Sequence, residues 1–275
     1  MPEFPEVEAA RRALDAPVSA APVEQAGPAH VATLKTFDPP LAALEGRLLA
    51  GARRRGKHLL FPAEEGDLVL HVHLMSAGRI RYLEPGAKAP KAPAFQLTFE
   101  GGGRLVLTEA GAKKRARVGL YRPEAIEADL AHLGPEAAEI DPERLGEILR
   151  REGRRLHPFL RDQRALAGIG RAWSNEILHR ARLSPYALST ELDDDEVQVL
   201  AATITETLAE GLELRLAGAS DRQAYRIHNR LGEPCPVCAT PIARVDFEEH
   251  TIFYCPECQT GSRVLKDRRM SRLLR

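Results

Sequence analysis

The chain has 275 residues, of which 44% are hydrophobic, and its 39 lysines and arginines balance 39 aspartates and glutamates. This length and composition predict two domains with cores of ordinary size, and they exclude a disordered acidic tail protein and a histone-like polycation. A net charge of zero also argues, as a total, against a nucleic-acid partner. No apolar run approaches the roughly 18 residues of a membrane helix, and the acidic N-terminus lacks an apolar signal core, so we expect a cytoplasmic protein without membrane contact.

The first 122 residues predict a short helix followed by strands. Apolar residues at 7–14, entered through Pro5, are typical of a short amphipathic helix. Alternating apolar and polar residues, separated by Gly- and Pro-containing turns, predict strands at 57–61, 68–74, 95–99 and 105–107. This pattern indicates an antiparallel β-sandwich or barrel domain.

The pattern changes at about residue 123. Residues 123–147 contain eight acidic residues and one basic residue, and apolar residues then recur at helical spacing, as in Leu200, Ile204 and Leu208. The predicted domains are therefore a β domain at 1–122, a helical domain at 123–231, a cysteine module at 232–260 and a basic tail at 261–275.

The four cysteines form two C-x-x-C knuckles. Cys235 and Cys238 are separated by sixteen residues from Cys255 and Cys258. Four thiolates at this spacing can close a tetrahedral Zn²⁺ site on a β-hairpin, where the metal substitutes for a core too small to form alone. Because four cysteines leave no open coordination position, we expect one structural zinc ion and no chemistry at it.

The N-terminus contains a candidate nucleophile. Removal of Met1 would make Pro2 a secondary amine, and an α-amino group titrates near 7.7–8.0 against about 10.4 for lysine, so more of it is free to attack. Its attack on an aldehyde gives a permanently charged iminium, which suits opening a deoxyribose and eliminating its phosphates. Glu3 can move protons to the sugar oxygen. These residues alone, however, are better explained as the lead into a helix.

Seven segments resemble the formamidopyrimidine-DNA glycosylase / endonuclease VIII family, from residue 1 to about 260 and in the family's order. They are MPEFPEVE at 1–8, RGKH at 55–58, HLMS at 73–76, LGPEA at 133–137, AGIGRAWSNEILHRARLSP at 167–185, AYRIHNRLGEPCPVC at 224–238 and FYCPECQ at 253–259. The resemblance implies an α+β multidomain fold: an N-terminal antiparallel β-sandwich with an N-terminal helix, a helical domain with a helix–two-turns–helix motif, and a four-cysteine zinc-finger β-hairpin.

The resemblance also implies an activity, that of a bifunctional base-excision enzyme of the bacterial nucleoid. Such an enzyme acts as a monomer on damaged or abasic DNA, excises oxidised bases and cleaves the strand by β- or β,δ-elimination, after flipping the nucleotide out of the duplex. Pro2 matches the nucleophile, Glu3 the proton-transfer carboxylate, and Glu6 a second carboxylate near the damaged nucleotide. Lys57, on an early strand, matches a lysine that contacts phosphate and assists elimination; without the resemblance it is a solvated lysine beside three arginines.

Other matched positions concern DNA binding. Gly168 and Gly170 match a tight turn before a helix, where backbone N–H groups and the helix dipole attract a phosphate; alone, Gly-Ile-Gly is merely a turn. Trp173 is predicted to lie in the core. Met75 matches a residue that fills the void left by the flipped base.

The sequence departs from the family at three places. Arg171 replaces an asparagine, although arginine still binds phosphate. His250 falls at or near the position of a strand-inserting arginine, and a neutral histidine is a weaker anion ligand. The loop at 108–116 contains no phenylalanine wedge, while its basic residues can contact the DNA backbone: Lys113, Lys114 and Arg115. We therefore expect cleavage at abasic sites to be more robust than excision of 8-oxoguanine.

Two other functions are compatible with parts of the sequence. A non-enzymatic, structure-specific DNA-binding protein on the same scaffold is compatible with the changes at 171 and 250, but it leaves the Pro2-Glu3-Lys57 set unexplained. A generic RNA or protein adaptor built on a zinc ribbon ignores the N-terminal match altogether.

The balanced total charge hides segregated charges. Residues 150–182 have a net charge of +6 and residues 259–275 of +5, whereas residues 123–147 have −7 and residues 191–196 are acidic. The basic segments coincide with the helix–two-turns–helix match and the end of the zinc finger. We therefore expect one basic DNA-binding groove between the two domains and an acidic outer surface, and the total does not exclude DNA.

Overall fold

The computed structural model describes residues 2–111, 113–247 and 250–266, without the side chains of residues 247 and 250. The chain divides into two compact units, with the boundary between His132 and Leu133. This boundary follows the first helix after the β domain, whereas the sequence placed it before that helix, at 122/123. Most of the predicted basic tail, residues 267–275, lies outside the described residues.

Unit one combines an N-terminal helix with two antiparallel four-stranded sheets, whose strand orders are β1-β6-β7-β5 and β2-β3-β4-β8. Its elements are α1 (Phe4–Val18), β1 (Val23–Ala29), β2 (Arg53–Arg55), β3 (His58–Pro62), β4 (Val69–His73), β5 (Gly78–Leu83), β6 (Phe95–Phe99), β7 (Arg104–Glu109), β8 (Arg117–Tyr121) and α2 (Pro123–Leu130). Alternate residues of the strands face one hydrophobic core shared by both sheets. The predicted sandwich is confirmed.

Helix α1 closes this core and brings the N-terminus onto the second sheet. Val7, Leu14 and Val18 are fully or almost fully buried in the core. The helix packs against β2, β3 and β5. Helix α2 contacts β4, which explains why it belongs to unit one and why the boundary lies after it.

Unit two is helical and ends in a β-hairpin. Its elements are α3 (Pro142–Arg151), α4 (Leu156–Arg161), α5 (Arg171–Arg180), α6 (Asp194–Leu216), α7 (Asp221–Ala224), β9 (Ala243–Phe247), β10 (His250–Tyr254) and α8 (Pro256–Thr260). The acidic run at 191–196 leads into the first turn of α6, where Asp193 and Glu196 form a capping box and negative charge complements the helix dipole. No helix in the described ranges is long and apolar enough to span a membrane.

The long helix α6 packs on α5 through a close approach at one glycine. Trp173 of α5 is 2% exposed, as predicted for a core residue. A Cβ atom at Gly211 of α6 would lie 2.2 Å from the Trp173 ring, so only glycine fits there. This contact fixes α5, the helix that follows the Gly168–Gly170 turn, against the core of unit two.

Candidate functional site

The first residues of unit one are buried and held in place by the N-terminus of α1. Pro2 is buried, and Glu3 is 1% exposed. Glu3 is the N-cap of α1: its backbone N–H donates to Glu6 Oε2 at 2.8 Å, and its carboxylate accepts from the Glu6 backbone N–H. This capping box satisfies N–H groups that a helix start otherwise leaves unpaired. It fixes the backbone next to Pro2 and places three predicted residues together.

An arginine from the second sheet clamps this helix to the turn between β2 and β3. Arg54 Nε donates to Glu8 Oε2 at 3.2 Å, and Arg54 Nη1 donates to the carbonyl oxygen of Gly56 at 2.9 Å. The guanidinium also lies 4.6 Å from the ring centroid of Phe4. One buried side chain therefore joins the first turns of α1 to the residue before Lys57. No sequence pattern predicts this pair, because its members are 46 positions apart.

Glu8 is charged because arginines surround it. Burial opposes ionisation, but hydrogen bonds from Arg11 and Arg12, together with the charges of Arg11 and Arg54, hold the pKa of the Glu8 carboxyl below its usual value. The nearest contacts to its carboxylate oxygens are 2.9 Å from Arg11 and 3.0 Å from Arg12. The clamp therefore joins two groups that are both charged at neutral pH.

Lys57 is 5% exposed, so its interpretation as a solvated lysine is wrong. The prediction that Lys57 lies on a strand is also wrong, because Gly56 and Lys57 form the turn between β2 and β3. Gly56 has φ +54°, a left-handed conformation that favours glycine. Lys57 lies close enough to His73 for its charge to affect that imidazole.

A row of basic side chains crosses the second sheet beside Lys57. The strand register places Arg55 opposite His58, His58 opposite His73, and His73 opposite Arg117. His71 lies in the next row, and its Nε2 is 2.8 Å from His58 Nδ1. Directly paired residues share a sheet face. From the sequence pattern, His71 and His73 were expected only to be the polar positions of an alternating strand.

These imidazoles are neutral at neutral pH. Burial, followed by neighbouring positive groups, lowers the pKa of His58 to about 2, of His71 to about 3 and of His73 to about 4. For His73 the charged neighbours are Lys57 and Arg117. The row therefore places neutral hydrogen-bonding rings between cationic side chains.

Met75 lies in the turn after β4. Its backbone adopts φ +51°, and its N–H donates to His73 Nδ1 at 3.0 Å. His73 Nδ1 is therefore an acceptor, so the neutral ring carries its proton on Nε2. Met75 itself is half-buried.

The loop between β7 and β8 is organised by one buried carboxylate. Glu109 is 7% exposed and accepts the backbone N–H groups of Arg115, at 2.8 and 2.9 Å, and of Ala116, at 2.9 Å. Lys114 Nζ donates to the carbonyl oxygens of Glu109, at 2.6 Å, and Gly111, at 3.0 Å. Of the three predicted DNA contacts in this loop, Lys113 and Arg115 are exposed, whereas the Lys114 ammonium is hydrogen-bonded to carbonyl oxygens of the loop itself.

In unit two a glutamine side chain shapes the glycine turn before α5. Gly168 has φ +107°, and its N–H donates to Gln163 Oε1 at 3.0 Å. Gln163 Nε2 donates in turn to the carbonyl oxygen of Ile169 at 2.7 Å. Gly170 caps α5, and Arg171 is its exposed first residue. The structure therefore brings the three predicted residues to one helix N-terminus, but Gln163 carried no sequence signal.

Helix α5 also holds the segment that leads into the cysteine module. The buried Glu176 carboxylate accepts the backbone N–H groups of Arg226 at 2.8 Å, Ile227 at 3.1 Å and His228 at 2.8 Å. Burial raises the pKa of Glu176, although these three hydrogen bonds oppose that shift. Asn175 Nδ2 lies 2.7 Å from His228 Nδ1. No sequence pattern predicts these roles of Asn175 and Glu176.

The four cysteines come together as their spacing predicts. Their Sγ atoms all lie within 4.8 Å of one another, and the distance from Cys238 Sγ is 3.4 Å both to Cys255 Sγ and to Cys258 Sγ. Zinc–sulfur bonds of about 2.3 Å in a tetrahedron place sulfur atoms roughly 3.8 Å apart, so this cluster fits a metal ion. The hairpin β9–β10 links the knuckles; His250 begins β10, and its side chain lies outside the described atoms.

Comparison with known proteins agrees with this arrangement. The formamidopyrimidine-DNA glycosylase N-terminal domain matches residues 1–115, and the formamidopyrimidine-DNA glycosylase H2TH domain matches residues 133–223. A formamidopyrimidine-DNA glycosylase of Pelotomaculum thermopropionicum is 32% identical over an alignment of 279 positions, and the alignment covers 94% of this chain and 99% of the relative. An uncharacterized formamidopyrimidine-DNA glycosylase-like protein of Mycobacterium tuberculosis is 38% identical over 149 residues, or 52% of this chain and 94% of the relative.

Solved structures share the fold. Lactococcus lactis formamidopyrimidine-DNA glycosylase, non-covalently bound to DNA containing an abasic site, has a TM-score of 0.84 and 25% identity, covering 94% of this chain and 99% of the other. MutM in complex with DNA containing carbocyclic 8-oxo-G has a TM-score of 0.85 and 24% identity, covering 94% and 100%. The chain therefore belongs to the formamidopyrimidine-DNA glycosylase family of DNA-repair enzymes.

Proposed function

We propose that this protein excises oxidised bases from DNA and cleaves the resulting abasic strand, with Pro2 as the nucleophile. The observation that carries the proposal is the buried Pro2-Glu3 dipeptide, in which Glu3 caps α1. Arg54 ties α1, through Glu8, to the turn containing Lys57. Relatives named formamidopyrimidine-DNA glycosylase that align along nearly the whole chain support the glycosylase part.

The proposed chemistry uses groups that lie in unit one. After loss of Met1, the Pro2 nitrogen attacks C1′ of the sugar and loses its proton. The ring C–O bond breaks with its electron pair going to the oxygen, which Glu3 protonates, and the base, or at an abasic site the C1′ hydroxyl as water, leaves C1′ as the iminium forms. The resulting iminium withdraws electrons from C2′, so a proton leaves C2′ and the 3′ phosphate departs. Lys57 places a positive charge next to the phosphate. Elimination through the Pro2 iminium needs no metal ion.

Borohydride trapping tests the nucleophile. The parent protein, shown by intact mass to have lost Met1, is expected to form a covalent adduct with an abasic duplex under borohydride, and Pro2→Gly is expected to lose it. Pro85→Gly, in an exposed loop, controls for the substitution itself. Trapping and cleavage by Pro2→Gly at the parent rate would refute the assignment.

We also propose that abasic-site cleavage exceeds 8-oxoguanine excision. The loop at 108–116 contains no aromatic wedge, and the Lys114 ammonium is occupied by loop carbonyls, whereas Pro2, Glu3 and Lys57 are all present. A panel of duplexes containing an abasic site or different oxidised bases measures this difference. Release of 8-oxoguanine as fast as abasic-site cleavage would contradict the proposal.

Damaged or abasic DNA is the proposed partner, and one zinc ion is the proposed metal. The exposed Arg171 at the N-terminus of α5 supports a phosphate contact, so Arg171→Ala is expected to weaken binding and to flatten its salt dependence by about one unit of the log–log slope. The four-cysteine cluster supports Zn²⁺, because four thiolates at these separations suit it. Elemental analysis of the purified protein tests for one zinc per chain.

A non-enzymatic DNA-binding protein remains the alternative, and one observation favours it: Arg171 stands where the family resemblance expects asparagine. Tight binding of an abasic duplex with neither cleavage nor a borohydride adduct, in protein confirmed to start at Pro2, would establish it.

A further inference from the structure

A histidine of helix α5 reaches the sulfur of a cysteine in the first knuckle. His179 Nε2 lies 3.2 Å from Cys235 Sγ, and the two residues are 4% and 3% exposed. Backbone N–H groups also donate to the sulfur atoms of this cluster: Val237 to Cys235 at 3.4 Å, and Cys258 to Cys255 at 3.5 Å. Cys235 therefore accepts one N–H from its own knuckle and faces a second from another element of the fold.

The direction of the His179 hydrogen bond follows from the chemistry of a metal-bound thiolate. Such a sulfur has no proton to give, so the imidazole must donate through Nε2–H. Four thiolates around Zn²⁺ give the site a net charge of −2, and N–H groups directed at sulfur offset part of it. Because both groups are buried, this hydrogen bond is stronger than one exposed to water.

A second side chain connects the same parts of the fold. The Cys255 N–H donates to Gln259 Oε1 at 2.9 Å, and Gln259 Nε2 donates to the carbonyl oxygen of Leu183, just after α5, at 2.9 Å. Each knuckle is thus joined by one side chain to the C-terminal end of α5 or to the loop that follows it.

We infer that His179 is a positioning residue for the metal: its Nε2–H donates to the Cys235 thiolate, strengthens metal binding and couples the filled site to α5. The inference rests on the proposed zinc site. It assigns a role to a residue of α5 that is not itself one of the four candidate metal ligands. Groups that orient metal ligands in this way typically change metal affinity 10–100-fold.

Variants that differ in hydrogen-bonding ability test the inference. His179→Phe keeps a planar ring and removes the donor, whereas His179→Gln restores an N–H. His157→Phe, at a buried histidine of α4 in the same unit, is the matched control. We expect about 10–100-fold weaker zinc affinity in a chelator competition for His179→Phe, partial recovery for His179→Gln, and no change for His157→Phe.

Cobalt spectra give a readout that a loss of packing would not produce. A thiolate that loses an N–H donor is more electron-rich, so the sulfur-to-Co²⁺ charge-transfer band of His179→Phe is expected to move to longer wavelength than that of the parent. Should His179→Phe fail to fold, ¹⁵N NMR of the parent decides the tautomer, and a proton on Nδ1 with a bare Nε2 would overturn the inference.

The outcomes separate this inference from the proposal on which it rests. A parent with one zinc per chain and a His179→Phe variant with unchanged affinity and cobalt spectrum would refute only the role of His179. A folded parent that binds no zinc would refute the metal proposal and this inference with it. Neither result bears on Pro2, which borohydride trapping tests separately.

Discussion

Replacement of Glu176 by alanine is expected to detach the segment at 226–228 from helix α5. The wild-type carboxylate accepts three backbone N–H groups at 2.8–3.1 Å, and alanine would leave all three without this acceptor. A stranded buried donor costs about 1–3 kcal/mol. The backbone N–H groups of Arg226 and His228 are only partly buried, so water can replace the carboxylate there. Removing the carboxylate also relieves the desolvation that raises its pKa. We therefore expect the local free energy of opening this segment to fall by about 3 kcal/mol.

Glutamine at the same position is expected to cost less. Its oxygen can still accept from Ile227 and His228, which share Oε1 in the wild type, but its NH₂ group would face the N–H of Arg226. Two donors would then oppose each other, and the predicted loss is about 1–2 kcal/mol. The order of stability is therefore Glu, then Gln, then Ala.

Amide hydrogen exchange measures this effect locally, which matters because two units need not unfold together. A loss of 3 kcal/mol corresponds to roughly 100-fold faster exchange of the three amides. Glu213→Ala, at an exposed position of α6, is the control. Unchanged exchange at 226–228 in Glu176→Ala, or equal effects of Ala and Gln, would refute this account of the carboxylate.

Three further predictions concern other parts of the fold. Arg54→Met is expected to lower the free energy of unfolding by about 2–4 kcal/mol, because it removes hydrogen bonds to Glu8 and Gly56 and the contact with Phe4. The same variant is expected to slow borohydride trapping. A parent-like free energy of unfolding in urea together with a parent-like trapping rate would contradict this prediction. His58, His71 and His73 are partly or fully buried, and their pKa values are lowered. Below pH 6.5, each of these imidazoles is expected to destabilise the fold by about 1.4 kcal/mol per pH unit until its folded-state pKa is reached, because the unfolded chain binds the protons more tightly. Urea unfolding that gives equal stability at pH 7.5 and 5.5 would exclude this effect. Chelation of the proposed zinc ion is expected to shift the fluorescence emission of Trp173, the single tryptophan, to longer wavelength, because α5 then packs less tightly. Metal release without this shift would show that the packing of α5 does not depend on the four-cysteine site.

The sequence alone determined features whose causes are local. Two C-x-x-C turns predict a metal site because each turn brings its own two sulfur atoms together. Alternation over 95–99 predicts a strand because successive side chains point to opposite faces. Gly168 and Gly170 predict a tight turn before a helix, and Gly168 has a φ of +107°, which few other residues adopt. Pro2 and Glu3 are candidate catalytic residues on the basis of their position at the N-terminus and the family resemblance alone.

Tertiary structure alone decided which distant groups meet. Arg54 and Glu8 are 46 positions apart, and His179 and Cys235 are 56 apart. No periodicity encodes such pairs, because they depend on the path of the loops and the packing of the sheets. The burial of Lys57 has the same origin: the three arginines at 53–55 precede it in a polar stretch of sequence, and only the fold buries its side chain. Short-range patterns thus determine the elements and the candidate chemistry, while long-range packing sets the charge and position of the candidate groups.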